Sequence, residues 1–544
     1  MRTMESRYAD MILTGGTVIT MEDPVKSSVL DIAVRGSEIM AIGSREEISV
    51  FKRRGTRVID LSGKTIMPGF IDCHNHMTSY GHNLGYVDLN PSSVKNISQL
   101  LESLKIRASK TKPGEWVKAW ALDETKLKEN RYPTLHELDE ACPNHPVSIK
   151  RTCGHVLIVN SRAMKEAGIR NDSPDPRGGE LVRDAEGHPN GVLFELGAMN
   201  LVNNVISYPT AAECANALAL ASVVYASEGL TMVSEAGAGW TGNPNEVAGF
   251  QIACKNGQLI PRVSMGFMES TYNLFPQERG SGLFTGFGND ELQIGPIKFV
   301  ADGGIGARTA CMSKPYEGSD YCGVLAEDSK SLRQRMEVAH KAGFQISVHA
   351  IGDKTIEMVL DIYEDILLRY PKANHRHRIE HVALPRPDLL DRMSKLNLIA
   401  IVQPGFIYYL GDSWFSNVGL ERFYDTVPLK TMIQKGIVIA GSSDRPVTNG
   451  NPWPIIWSAV KRRTFDGRSC GLKECLSVEE ALKLYTINGA YTHFAEDRLG
   501  TLTPGKYADM IVVDANPLYI DADDVKDITV ERTFIGGKEV FRRS

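Results

Sequence analysis

The chain has 544 residues, 42% of them hydrophobic and 23% charged, a balance that suits a globular protein and excludes a disordered or fibrous one. Such a length outgrows a single core and predicts one large domain with at least one smaller companion. The 61 Lys and Arg against 66 Asp and Glu leave a formal charge of −5, without the basic excess that a phosphate backbone demands, which argues against nucleic acid as a partner.

Residues 1–66 alternate short apolar runs with glycine-centred turns, in MILTGGTVIT, LDIAVRGSEIMAIG and TRVIDLSGKTIMPGF, the pattern of a small antiparallel sheet. Residues 499–544 repeat the style in YADMIVVDA and DITVERTFIGGKEVF, so the two ends are expected to build one composite β-sandwich domain. Between them, over 67–498, apolar strands such as LQIGPIKFV, FQISVHA, RHRIEHVAL, NLIAIVQPGF and GIVIAGSSD alternate with helical stretches. That alternation predicts an α/β fold with a parallel sheet, and so many strands ending in polar residues close more readily as a (β/α)8 TIM-like barrel than as a doubly wound sheet. From about 84 to 205 the rhythm gives way to a mixture of Trp, Pro and Gly, expected to be an insertion after the first barrel strand that caps the site.

The chemistry begins at the end of the first barrel strand, in PGFIDCHNH. Positions i and i+2 of a strand point the same way, so His74 and His76 can offer two imidazoles to one metal ion, where the blander reading is two polar loop histidines. In the insertion, Trp120, Asp123 and Glu124 of WALDETK either line a substrate pocket or pack as an ordinary lid. His155 of TCGHVLIVNS either hydrogen-bonds a substrate carbonyl or oxyanion or makes a structural bond. Lys298 lies in the apolar strand PIKFV, where a free ammonium is costly; a neutral amine there can take up carbon dioxide as a carbamate, and the alternative is a pair with Asp302 or another carboxylate. Arg308 of GGIGARTA can orient an anionic substrate or a loop carboxylate. His349 of ISVHAIGD and His381 of RIEHVAL each close an apolar strand and stand 32 residues apart, about one βα unit. Glu380 is expected behind the site, as a hydrogen-bond acceptor for a ligand. Asp444 closes GIVIAGSSD, where a carboxylate can hold a metal through one oxygen and exchange a proton with water through the other, or else serve as a helix cap.

HxH after PGFID, a strand lysine, a histidine on each of two later strands and a final strand aspartate together resemble the amidohydrolase superfamily. KFVADGGIGARTA, SVHAIGD, RIEHV, GSSDRPV and the terminal TLTPGKYADMIVVD look like its amidohydrolase-3 branch, which contains N-substituted formamide deformylase; the resemblance runs from about Tyr8 to Phe541. It implies one metal on His74, His76 and Asp444 and a second on His349 and His381, with Lys298, carbamylated by CO2, bridging them. Two Zn2+ are expected, with Mn2+ or Fe2+ as alternatives, and some relatives work with one ion.

The implied activity is hydrolysis of a non-peptide C–N amide bond, in an N-formyl or N-acyl amine, by metal-activated hydroxide with Asp444 as proton shuttle. Competing readings are a deaminase or cyclic-amide hydrolase on the same barrel, a lactonase or esterase, and a non-catalytic binding protein. The 9 cysteines include no CxxC pair, no run of about 18 apolar residues occurs, and the N-terminal charges are followed by no long apolar stretch. The expected setting is therefore cytoplasmic, with a small-molecule substrate, no membrane partner and a homodimer or higher homo-oligomer.

Overall fold

The computed structural model describes residues 7–544, apart from 91–92, 152–155, 177–178, 270 and 272–281. The chain divides into two compact units, one of Met1–Met77 with Ala221–Ser544 and one of Thr78–Leu220. No helix among the described residues is long and apolar enough to cross a membrane, and the eight described cysteines are free thiols.

The first unit is built on eight parallel strands that neighbour one another in chain order: β1 (Phe70–Asn75), β2 (Leu230–Ala238), β3 (Arg262–Met268), β4 (Leu292–Val300), β5 (Ile346–Ala350), β6 (Arg378–His381), β7 (Ile399–Val402) and β8 (Ile439–Gly441). Nearly every strand residue is buried, as expected of strands covered on both faces. Crossover helices supply the outer layer. Asp353–Arg369, after β5, buries Ile356, Val359, Leu360, Tyr363 and Ile366, the three-and-four spacing of a one-faced helix.

The sheet curls until its ends meet, where the Asp444 N–H donates to the His74 carbonyl (2.9 Å) and the His76 N–H to the Arg445 carbonyl (2.8 Å). Asp72 reinforces that seam by accepting from the Ser443 N–H (3.1 Å), the Ser443 hydroxyl (2.5 Å) and the Asn75 amide (2.9 Å). The result is the expected α/β barrel.

Both termini contribute to a six-stranded sheet in which Met510–Val513 pairs antiparallel with Thr65–Pro68. A separate four-stranded sheet holds Met11–Thr14, and the two share a core that includes Leu13, Ile32, Val34, Ile66, Met510 and Phe534. The purely antiparallel expectation for the N-terminal strands fails. Met11–Thr14 pairs parallel with Arg57–Asp60, and Thr17–Ile19 parallel with Thr65–Pro68, because the chain returns to these strands after intervening hairpins.

The second unit, lying in sequence between β1 and β2, is a six-stranded sheet with short helices. Its central strands Val117–Leu122, Val147–Arg151 and Val156–Val159 bury apolar side chains on both faces.

At the N-terminal ends of β5 and β6 three buried histidines interlock. His340 Nδ1 lies 2.8 Å from His377 Nε2, His377 Nδ1 accepts the Ile346 N–H (3.0 Å), and His375 Nδ1 accepts the His377 N–H (2.9 Å). Burial lowers all three pKa values, His375 to about 4, and the flanking charges are Lys372 and Glu337. The fold therefore holds the neutral forms, and below pH 6.5 the unfolded chain binds protons that the folded one refuses. Stability is full above that pH and falls as the pH drops toward 4, by about 3 kcal/mol for His375 alone. Urea midpoints are expected to drop between pH 7.5 and 5, and the drop to be shallower in His375→Gln; an acid-insensitive midpoint contradicts this account.

Candidate functional site

The C-terminal strand ends of the barrel carry the site. Alternation on β1 puts Asp72, His74 and the following His76 on one face. Asp444, just past β8, adopts φ 56°, a left-handed conformation that a short polar residue tolerates. There its Oδ1 lies 3.4 Å from His74 Nε2 and 3.3 Å from His76 Nε2. All three residues are buried, and their donor atoms fall within 4.8 Å of one another. Asp444 Oδ1 has no hydrogen-bond partner among the described residues. Two imidazole nitrogens and a carboxylate oxygen that converge in this way suit a divalent metal ion, so the residues present fit a metal.

His381 and His349 continue the cluster. Ring centroids are 5.0 Å apart for His74 and His381, and 4.4 Å for His381 and His349. His381 Nδ1 is held by Gln403 Oε1 at 2.8 Å, which leaves Nε2 as its second nitrogen. His349 Nε2 lies 3.1 Å from the Gly303 carbonyl and 3.5 Å from Asp302 Oδ1. The structure thus gathers His74, His76 and Asp444 into one ligand-sized group, with His349 and His381 as an adjacent pair.

The sequence model of the amidohydrolase family matches residues 57–541. The chain belongs to that family. N-substituted formamide deformylase of Arthrobacter pascens is 26% identical to it over 558 residues, covering 99% of each chain. Protein LONG AFTER FAR-RED 3 of Arabidopsis thaliana is 30% identical over 547 residues, covering 98% of this chain and 92% of its own. A solved structure, described as an uncharacterized metal-dependent hydrolase from Pyrococcus furiosus, superposes with a TM-score of 0.77 at 28% identity, covering 93% of this chain and 99% of that one.

Electrostatics in this amidohydrolase favour cation binding. Burial works to raise the Asp444 pKa, yet His74 and His76 hold it well below the carboxylate range. Burial opposes protonation of His76, but Asp444 and Glu235, the latter 3.5 Å from Nδ1, outweigh it and push the pKa up to about 9. Carboxylates thus draw positive charge into this spot. Burial lowers His349 to about 3 and His381 well below the usual imidazole range, so both keep neutral rings with lone pairs to give. Lys298, only 2% exposed on β4, is lowered by burial to about 8.

Trp120, half-buried in Val117–Leu122, and Asp123 belong to the second unit, where Arg151 grips Glu124 (2.7 Å) and lies 3.5 Å from Asp123. His155 lies outside the described residues. Arg308 donates through Nε to Asn417 Oδ1 (2.8 Å), a side-chain amide and not the loop carboxylate considered from sequence. Glu380 accepts from His74 Nδ1, the nitrogen across the ring from Asp444.

Sequence reasoning passed over Glu235, Gln403 and Trp240, whose indole lies 5.6 Å from the His76 ring. Glu235 had a legible signal, an acid within the apolar strand LTMVSEAGA, of the same kind that singled out Lys298.

Proposed function

We propose that this amidohydrolase hydrolyses the C–N bond of a non-peptide amide, an N-formyl or N-acyl amine. What carries the reading is the convergence of His74 Nε2, His76 Nε2 and Asp444 Oδ1, in a chain aligned along 99% of its length with N-substituted formamide deformylase. A divalent ion held by these three residues, zinc by the nature of the donors, supplies Lewis acidity toward the amide carbonyl and acidifies a water.

Asp444 accepts the proton of the attacking water and passes it to the departing nitrogen. An amine leaves poorly unless protonated, so the reaction needs a group that both takes and returns a proton. Asp444, ionised and with Oδ1 turned to His74 and His76, suits that task through its other carboxylate oxygen. His349 and His381 would hold a second ion, and Lys298, once carbamylated, would supply oxygen ligands. Burial raises the neutral fraction of Lys298, whose Nζ lone pair can attack CO2 and release a proton to leave the anionic carbamate.

A panel of formamides, acylated amines, hydantoins and aminopurines, assayed with zinc or manganese, tests the substrate class. Turnover of formamides or acylated amines is expected. Turnover of aminopurines alone overturns the amide reading in favour of deamination on the same barrel.

A further inference from the structure

Behind His74 the barrel interior carries a fully buried ion pair. Arg378 and Glu380, both on β6, are 0% exposed, with Arg378 Nε 2.7 Å from Glu380 Oε1. The same Oε1 accepts the Ser347 hydroxyl from β5 at 2.6 Å, while Oε2 faces His74 Nδ1 from β1 at 2.5 Å. The two oxygens of Glu380 therefore divide their work: Oε1 is tied to β5 and to Arg378, and Oε2 serves His74. A carboxylate cannot donate, so Nδ1 carries a hydrogen, and Nε2, the atom 3.4 Å from Asp444 Oδ1, is the nitrogen left to face a cation.

Placing two charges where water cannot reach costs more than apolar side chains of the same size would, so this pair adds little to stability. Its geometry serves another purpose. An anion hydrogen-bonded to the far nitrogen of a ligand histidine fixes the tautomer, aims the ring and makes the near nitrogen a stronger base.

We propose that Glu380 is a positioning residue that sets how tightly the His74, His76 and Asp444 group holds a divalent cation, with Arg378 as its anchor. This rests on the reading of that group as a metal site. Glu380 acts through His74.

The test is zinc affinity, measured on metal-free protein by competition with a chromophoric chelator, beside the melting temperature of the same metal-free protein. Glu380→Gln keeps an acceptor for Nδ1 but removes the charge, and is expected to weaken zinc binding about 10–100-fold. Because this variant strands Arg378, Arg378→Met/Glu380→Gln is made as well. It is expected to melt close to the wild type and still to bind zinc about 10–100-fold more weakly. Wild-type affinity in either folded variant overturns the proposal, since a merely structural pair would move the melting temperature alone. Failure of the metal reading looks different: wild type takes up no zinc, or His74→Ala takes it up as wild type does.

Discussion

Asp444→Asn is expected to retain its cation and to lose turnover, with kcat falling about 10²–10⁴-fold. The substitution is nearly isosteric, and the amide oxygen can still face His74 and His76. The backbone bond from residue 444 to the His74 carbonyl, 2.9 Å, closes the barrel seam and does not involve the side chain. What disappears is the second carboxylate function, taking a proton and giving it back. His74 and His76 hold the Asp444 pKa well below the carboxylate range, so the wild-type group is ionised throughout the neutral region. An amide has no such form. Metal content by atomic emission, read beside kcat, separates the two functions. A variant that keeps near-normal kcat removes Asp444 from proton transfer, whereas one that loses both metal and turnover makes it a ligand first.

The pairing of His74 with His76 was legible because it needs only the period of a strand. The approach of Asp444 to that pair was legible less directly, since 370 residues separate Asp444 from His74 and only the count of strand-helix units implies that the sheet closes. Glu380 and His381 mark where period reasoning stops. On a regular strand neighbours face opposite ways, yet Glu380 meets His74 Nδ1 and the His381 ring also lies 5.0 Å from His74. The backbone leaves the strand conformation there, with φ 76° at His381 and 44° at Val382, and a β-branched Val382 advertises no left-handed turn. The parallel pairing of Met11–Thr14 with Arg57–Asp60 was hidden for another reason. Turn glycines announce the local hairpins, whereas a parallel neighbour is set by where the chain returns more than 40 residues later.

Lys298→Ala is expected to lower the bound cation by at least one per chain and activity by about 10²-fold or more, with partial recovery when a short carboxylic acid is added. The side chain is 2% exposed, and burial lowers its pKa to about 8, so its amine is neutral often enough to capture CO2. Alanine leaves a space the length of the lysine stem, into which acetate or propionate can bring the two oxygens that a carbamate would supply. The competing role for Lys298 is a plain ammonium that balances Glu380 and Asp444, both of which act to raise its pKa. The two roles differ in sign at the metal. Removing a positive charge from beside His74, His76 and Asp444 favours a cation there, so loss of an ammonium should tighten zinc binding, whereas loss of a carbamate removes a ligand and weakens it. Zinc content and affinity of Lys298→Ala, with and without propionate, therefore decide between them: a count that stays the same with an affinity that rises makes Lys298 a buried counter-charge, and a lost ion restored by propionate makes it the bridge.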